Sequence, residues 1–150
     1  MNGSPLFTVK RVGWNEAGDQ LRAIRTTVFV DEQNVPVELE WDGLDGLSTH
    51  VLAITATGEA IGTGRLLPDG HIGRMAVLQP WRGCGVGRTI LLELLAIARD
   101  KGFERVELSA QTHAIAFYAR FGFEAVGGEF MDAGIPHRTM RTELIKPKRE

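Results

Sequence analysis

The alternation of hydrophobic and polar positions predicts seven strands, the first of them close to the start of the chain. LFTVKRV alternates between apolar and polar side chains, as a half-buried strand does. HVLAITA and AIGTGRLL are β-like runs on either side of Thr57-Gly58, and this spacing predicts a hairpin. The remaining strand-like runs are HIGRMAVL, RVELSA, FEAVG and PHRTMRTEL.

A period of three to four residues predicts three helices. The first runs from Asn15 or Glu16 to about Val30. Its apolar positions at helical spacing are Leu21, Ile24, Val28 and Phe29. The second begins in the glycine-rich stretch QPWRGCGVGRT and ends at Lys101-Gly102, where a basic last turn precedes a glycine. The third is AIAFYARF, which Gly122 ends.

These elements occur in the order β-α-β-β-β-α-β-α-β-β, and the order predicts the fold class. HIGRMAVL, the glycine-started helix and RVELSA form one βαβ unit, which favours parallel pairing of the two strands. The hairpins elsewhere favour antiparallel pairs. We expect an α/β (α+β) protein with a mixed sheet and helices on both faces. The acidic stretch DEQNVPVELEWDGLDG is predicted to be a loop with a short helical turn. No linker or repeat divides residues 1–150, which are expected to form one domain.

Composition limits the function classes. The chain is 43% hydrophobic with a formal net charge of −2, so nothing favours nucleic acid or an anionic membrane as partner. A single cysteine excludes an intramolecular disulfide and a cysteine-rich zinc site. No run reaches the roughly 18 apolar residues of a membrane span, and MNGSPLFTVKR lacks the apolar core of a signal peptide. We expect a cytoplasmic protein without a metal, whose KPKRE tail is a solvated end.

The stretch QPWRGCGVGRT predicts an anion site at the start of the second helix. The first turn of a helix leaves four amide N–H groups without intrahelical partners, and the helix dipole adds positive charge there. Glycine lets a ligand approach these amides because no Cβ stands in the way. Arg82 and Arg88 flank the three glycines. A phosphate or pyrophosphate is the usual ligand of such a site.

The spacing of the glycines decides between three phosphate loops. A Walker loop would need glycine where Arg82 stands and lysine where Arg88 stands. The Rossmann fingerprint G-x-G-x-x-G also fails, because the glycines here are spaced G-x-G-x-G. The remaining pattern, R-x-x-G-x-G, resembles the acyl-CoA pyrophosphate loop of the GNAT superfamily of N-acetyltransferases. On the loop alone, a glycine-rich tight turn without a ligand stays an alternative.

A second stretch strengthens this resemblance. LSAQTHAIAFYARFGFEAVG is similar to the other GNAT signature, and Tyr118, the only tyrosine, lies four residues before Gly122-Phe123. The two signatures cover roughly residues 71–128. The resemblance implies that strands HIGRMAVL and RVELSA splay apart and that acetyl-CoA binds between them as cosubstrate. Gln111 stands where the family usually has asparagine. The residues that the resemblance assigns to acetyl-CoA are Met75, Ala76, Val77, Arg82, Gly83, Cys84, Gly85, Val86, Gly87, Arg88 and Gln111.

The resemblance also implies a chemistry. Tyr118 would act as general acid toward the departing CoA thiolate. An alkylamine has a pKa of about 10.4, so a base or a bound water must remove its proton before it attacks. Many relatives carry a glutamate for this on the strand before the loop, but HIGRMAVL has no carboxylate. The candidates for base or acceptor contact are Glu32, His50, His113 and His137, each of which also has a structural interpretation.

TTVFVDEQNVP and DAGIPH are similar to an uncharacterised bacterial subgroup of GNAT proteins. In the family the first helix and its loop line the acceptor pocket. The acidic residues of this region are Asp31, Glu32, Glu38, Glu40, Asp42 and Asp45. They predict either a surface that attracts a cationic amine or a solvated acidic loop.

We therefore expect an N-acetyltransferase that moves the acetyl group of acetyl-CoA directly to a primary amine. The alternatives are a catalytically silent acyl-CoA-binding protein of the same fold and a purely structural interaction domain. The acceptor is open between a small molecule, a peptide and a protein lysine. The sequence leaves a homodimer open.

Overall fold

The computed structural model describes residues 6–144, so the expectations for the first five residues and for the KPKRE tail lie outside it. The seven strands are β1 Phe7–Val12, β2 Thr49–Thr55, β3 Ala60–Leu66, β4 His71–Val77, β5 Arg105–Gln111, β6 Glu124–Asp132 and β7 Ile135–Glu143. The α-helices are α1 Trp14–Arg25, α2 Val37–Glu40, α3 Val86–Asp100 and α4 Ile115–Ala119. A π-helical segment, Thr26–Glu32, continues α1.

The strands form one mixed sheet in the order β1-β2-β3-β4-β5-β7-β6. All neighbours are antiparallel except β4 and β5, which are parallel. Among the described residues, these two strands pair only at His71↔Glu107 and Ile72↔Leu108 and then separate. Near the bulge that interrupts the β3–β4 register, Arg74 has a φ of 50°. The separation of β4 and β5 after these two pairs confirms the splay that the resemblance implied.

Both faces of the sheet are covered, as the sequence predicts. On β2, Leu52 points to one face and packs with α1, whereas Val51 and Ala53 point to the other and pack with α3. The approach of α3 is close, because a Cβ added to Gly64 would lie 2.8 Å from side-chain atoms of Ile90 and Leu94. Glycine at this position lets the middle of α3 pack directly on β3, the strand that adjoins β4. A Cβ added to Gly62 would lie 3.0 Å from Val86, so the first turn of α3 is equally close to the sheet.

Two helices differ from the prediction. The first is α-helical only to Arg25 and then widens into a π-helical turn over Thr26–Glu32. This segment contains the run TTVFV, and β-branched side chains crowd the preceding turn of an α-helix. The tyrosine helix is only five residues long, since it begins after a 3₁₀ turn over Thr112–Ala114 and ends at Ala119. Gly122 then takes a φ of 91° to direct the chain into β6.

The predicted loop after the first helix is confirmed. It contains the one-turn helix α2 and a 3₁₀ turn over Asp45–Leu47. The strand FEAVG is longer than predicted, since β6 continues to Asp132 across a register shift between Val126 and Phe130. No helix within residues 6–144 is long and apolar enough to cross a membrane.

Candidate functional site

A cavity of about 380 Å³ lies at the splay between β4 and β5. Met75 lines it from β4, Gln111 from β5, Tyr118 from α4 and His137 from β7. The first helix and its loop contribute a further wall, which consists of Phe29, Gln33, Val35, Leu39 and Glu40. The splay therefore brings residues of β4, of the tyrosine signature and of the DAGIPH stretch to one space. Residues 82–88 of the glycine loop are not among the described residues that line it.

The glycine loop lies at the end of β4 and leads into α3. Gly83 and Gly85 have φ values of 80° and 87°, and Gly85 is the N-cap of the helix. A Cβ at either position would meet nothing within 4 Å. These two glycines are thus needed for their left-handed backbone, which strains other residues. The side chain of Val86 is buried, so only its backbone amide is available to a ligand there.

Arg82 is fixed by two partners. Its Nε donates to the carbonyl of Val77 at 2.9 Å, and its two terminal nitrogens donate to the carboxylate oxygens of Glu32 at 2.6 and 2.8 Å. Hydrogen bonding from Arg82 lowers the pKa of Glu32 below its ordinary value. Glu32 is therefore a weak proton acceptor in this arrangement, and it does not belong to the described residues that line the cavity. Arg88 is exposed on the first turn of α3.

Tyr118 packs its ring against Phe117 and Phe123 while its hydroxyl reaches the cavity. The hydroxyl donates to the sulfur of Met75 at 3.6 Å, which is a weak acceptor. Burial raises the pKa of Tyr118 to about 12. The phenol thus stays protonated at neutral pH and is a hydrogen-bond donor next to a thioether in the cavity.

A hydrogen bond to the backbone defines the tautomer of His137. Its Nδ1 lies 2.7 Å from the carbonyl oxygen of Ile135, which can only accept, so Nδ1 carries the proton. The ring stacks on Phe130 with centroids 5.8 Å apart. In the neutral ring Nε2 is then the acceptor. Register pairs His137 with Gln111 across β5 and β7, which places it at the cavity.

The other two histidine candidates occupy different positions. His50 is buried, its Nε2 lies 3.0 Å from the carbonyl of Asp45, and its ring contacts Trp14. Burial lowers its pKa, and it does not belong to the described residues that line the cavity. His50 is thus a packing residue rather than an acceptor contact. His113 does line the cavity, where its Nε2 lies 2.6 Å from the Oε1 of Gln111.

The acidic loop is neither a free cation-attracting surface nor a simply solvated loop. Six charged side chains form an ion-pair network, which we call the arginine network: Arg25, Arg65, Arg74, Glu40, Asp42 and Asp45. Its three cations and three anions balance, and Arg25, Glu40 and Arg65 are each at most 3% exposed. The charge expected to attract an amine is thus largely used to attach the loop to α1, β3 and β4.

The three arginines are not among the residues that sequence patterns single out. A signal for two of them exists, because Arg65 and Arg74 each interrupt a strand-like run, GTGRLL and IGRMAV. A charge within such a run needs a buried partner or a bend of the strand. Here Arg74 lies near the bulge, and its Nη2 donates to the carbonyl of Glu40 at 3.0 Å and to Asp42 at 3.3 Å. Neither strand-like run shows which residues are the partners of its arginine.

Asp132 and Gln33 also line the cavity without having been predicted to do so. Asp132 precedes a two-residue turn in which Ala133 and Gly134 both have positive φ, and the turn brings DAGIPH back onto β6. Within residues 6–144, no group of three or more His, Cys, Asp or Glu side chains is arranged to hold a metal ion.

Comparison with known proteins agrees with this geometry. The acetyltransferase (GNAT) domain family matches residues 19–144. The chain is 34% identical over 146 residues to the uncharacterized protein YyaT of Bacillus subtilis, across 93% of this chain and 98% of that protein. It is 40% identical over 121 residues to the uncharacterized N-acetyltransferase YjcF of the same species, across 78% and 86%. The crystal structure of Escherichia coli ElaA superposes with a TM-score of 0.81 at 30% identity, across 91% and 99% of the two chains.

Proposed function

Because the chain belongs to the GNAT family of acetyltransferases, we propose that it transfers the acetyl group of acetyl-CoA directly to a primary amine of a small molecule or peptide. One observation carries this proposal. The splay between β4 and β5 forms a cavity that Tyr118 and His137 both line, and the glycine loop follows at the end of β4. A hydrogen-bond donor and a proton acceptor thus line one cavity, and the loop proposed to bind phosphate lies beyond the lining, after the strand that forms one wall.

Acetyl-CoA is held along the splay in this proposal. The pantetheine arm hydrogen-bonds to backbone groups of Met75, Ala76 and Val77, which β5 does not pair within the described chain. The pyrophosphate binds the amides from Gly83 to Arg88, where the helix dipole of α3 favours negative charge. Arg82, Arg88 and Gln111 add side-chain donors, and Cys84 contributes its amide only.

His137 takes the role of general base. The amine arrives protonated, and Nε2 of His137 accepts its proton while Nδ1 stays bound to Ile135. The freed nitrogen lone pair attacks the thioester carbonyl carbon, which forms the new C–N bond. Collapse of the tetrahedral intermediate breaks the C–S bond. The remaining extra proton of the attacking nitrogen passes to the departing CoA thiolate, which leaves a neutral amide and the CoA thiol, and protonated His137 returns its proton to solvent.

Tyr118 acts on the leaving sulfur mainly as a hydrogen-bond donor. With its pKa near 12, complete proton transfer to a thiolate of pKa about 8.5 is uphill by roughly 5 kcal/mol. A hydrogen bond from the phenol to the developing thiolate needs no complete proton transfer, and it stabilises the transition state. The contact with the Met75 sulfur supports this role, since the hydroxyl already points at sulfur.

An acetylation screen over diverse amines tests the proposal, with release of free CoA thiol as the readout. We expect acetyl-CoA-dependent thiol release with at least one class of primary amine, and an N-acetyl product by mass spectrometry. Thiol release that does not increase with any amine in the panel, together with normal CoA binding, would instead identify an acyl-CoA-binding protein.

A further inference from the structure

The dipeptide Glu32-Gln33 spans the open end of the splay. The carboxylate of Glu32 is bound by Arg82, which follows β4, at 2.6 and 2.8 Å. The side-chain oxygen of Gln33 accepts a hydrogen bond from Nε2 of Gln111, the last residue of β5, at 2.9 Å. Two neighbouring residues thus hold partners that are 50 and 78 positions away in the sequence.

The two partners lie on opposite arms of the splay. Within the described chain, β4 and β5 are joined by their own pairing only at His71↔Glu107 and Ile72↔Leu108. At the other end, Arg82 is attached to β4 through the carbonyl of Val77. The connection therefore runs from Val77 through Arg82, Glu32, Gln33 and Gln111 to the end of β5.

We propose that Glu32 and Gln33 form a clasp that sets the separation of β4 and β5 and orients Arg82 and Gln111 toward acyl-CoA. This inference rests on the proposed function, in which those two side chains contact the cofactor from opposite arms. Glu32 and Gln33 are positioning residues, because they act through Arg82 and Gln111. The clasp gives Glu32 a role other than general base, and the lowered pKa of Glu32 agrees with this.

The clasp leaves donors free for the cofactor. A guanidinium has five N–H donors, and three of those of Arg82 are engaged with Val77 and Glu32. The amide of Gln111 uses one of its two N–H groups on Gln33, while its oxygen faces His113. Each side chain thus keeps donors for a ligand while the clasp is closed. A side chain held in one geometry loses less conformational entropy when the ligand binds.

The substitution Glu32→Gln tests the clasp by titration calorimetry with CoA. It removes the charge and one acceptor of the bidentate pair, and Kd for CoA is expected to rise about threefold to tenfold. Asp31→Asn is the matched control, since it removes one exposed negative charge from the preceding residue. We expect less than a twofold change in Kd for that variant. In an Arg82→Ala background, Glu32→Gln should change Kd no further.

The other half of the clasp is tested in the same way. Gln33→Met removes the acceptor of Gln111 and is expected to weaken CoA binding, but not when Gln111 is already replaced by methionine. Melting temperatures without ligand, compared with wild type, verify that the variants are folded.

Three results would overturn the clasp: an unchanged Kd in Glu32→Gln, a loss that persists in the Arg82→Ala background, or tighter binding by Glu32→Gln. The last would show that Glu32 competes with the pyrophosphate for Arg82. A wild-type protein without affinity for CoA would overturn the proposed function and the clasp together. If the wild-type protein binds CoA and the Kd of the variants is unchanged, only the clasp is rejected.

Discussion

At the scale of single residues, Tyr118 shows how burial changes the acidity of a side chain. The ring packs between two phenylalanines, and burial raises the pKa of the phenol to about 12. A tyrosine with an ordinary pKa near 10 would lose its proton at the upper end of the pH range in which amines become neutral. Tyr118 instead remains a neutral donor throughout that range. A side chain that is to donate a hydrogen bond to sulfur must keep its proton at every pH of the assay.

Replacement of Tyr118 by phenylalanine is expected to lower kcat by about 10- to 100-fold while KM for acetyl-CoA changes little. Because the wild-type phenol stays protonated, the loss should be a constant factor between about pH 6 and 10. Steady-state rates across that range provide the measurement. A loss confined to the alkaline side would instead show that Tyr118 titrates during turnover.

His137 can be tested by a substitution that keeps one of its nitrogens. In His137→Asn, the amide nitrogen can still donate to the carbonyl of Ile135, but nothing replaces the acceptor at Nε2. We expect kcat/KM to fall about 100-fold or more, and the remaining rate to rise steadily with pH as the free amine deprotonates. A pH–rate profile of wild type and variant checks this. Retention of the wild-type profile would exclude His137 as the base.

At the scale of elements, the arginine network explains how a loop with one short helical turn becomes a wall of the cavity. Arg25 at the end of α1 donates to Glu40 and Asp45 at 2.7 Å each, and Arg65 of β3 donates to Asp42 at 2.9 Å. Burial raises the pKa of Glu40, so its ionised form depends on these cations. The network attaches α2 and the following turn to elements that are far away in the sequence.

Loss of Arg25 should therefore be costly. Arg25→Met leaves Glu40 and Asp45 without one of their buried partners, and the free energy of unfolding is expected to fall by about 3–5 kcal/mol. Arg22→Met on the same helix is the control, since Arg22 is half-exposed. Among the described residues its only ion pair is with Asp19, and its guanidinium stacks over the Trp14 ring at 4.6 Å. Arg22→Met should lower the free energy of unfolding by less than about 1 kcal/mol. Urea unfolding of both variants measures the difference, and equal costs would contradict a structural role of the network.

At the scale of the whole molecule, the same charges predict how stability depends on pH. Burial opposes ionisation of Asp42, but hydrogen bonds from Arg65 and from the Leu44 amide lower its pKa to about 2. Arg25 and Arg65 likewise hold the pKa of Asp45 below its ordinary value against the effect of burial. A carboxyl whose pKa is lower in the folded state stabilises the protein above its unfolded pKa, and this contribution is lost as pH falls through the folded value.

We accordingly expect the free energy of unfolding to decrease as pH falls from about 4 toward 2. In Asp42→Asn the amide cannot titrate, so the dependence on pH in this interval should be shallower although the variant is less stable at pH 7. Chemical denaturation at a series of pH values measures both effects. Parallel curves for wild type and variant would show that Asp42 does not carry the dependence.

The order of strands and helices could be predicted because each element carries its own period, and β4, α3 and β5 show this well. The boundaries of α1 and α4 were less predictable, since the π-helical turn and the short tyrosine helix depend on packing as well as on local pattern. The position of the glycine loop at the start of α3 and that of Tyr118 on α4 were predicted from spacing. The partners of Glu32, His50 and Arg82 were not, because a charged or polar residue does not specify which distant residue it meets.

The sequence by itself determined the family, the mixed sheet and the positions of the glycine loop and the tyrosine. Backbone conformation and side-chain periodicity encode these locally, through residues such as Gly83 and Gly85 that must adopt positive φ. Only the tertiary structure decided that the acidic loop is neutralised by arginines, that His50 is a packing residue and that Glu32 and Gln33 bridge the splay. These outcomes depend on which charges and amides come within hydrogen-bond distance once β4 and β5 have parted. That distance is a property of the folded chain and not of any segment of it.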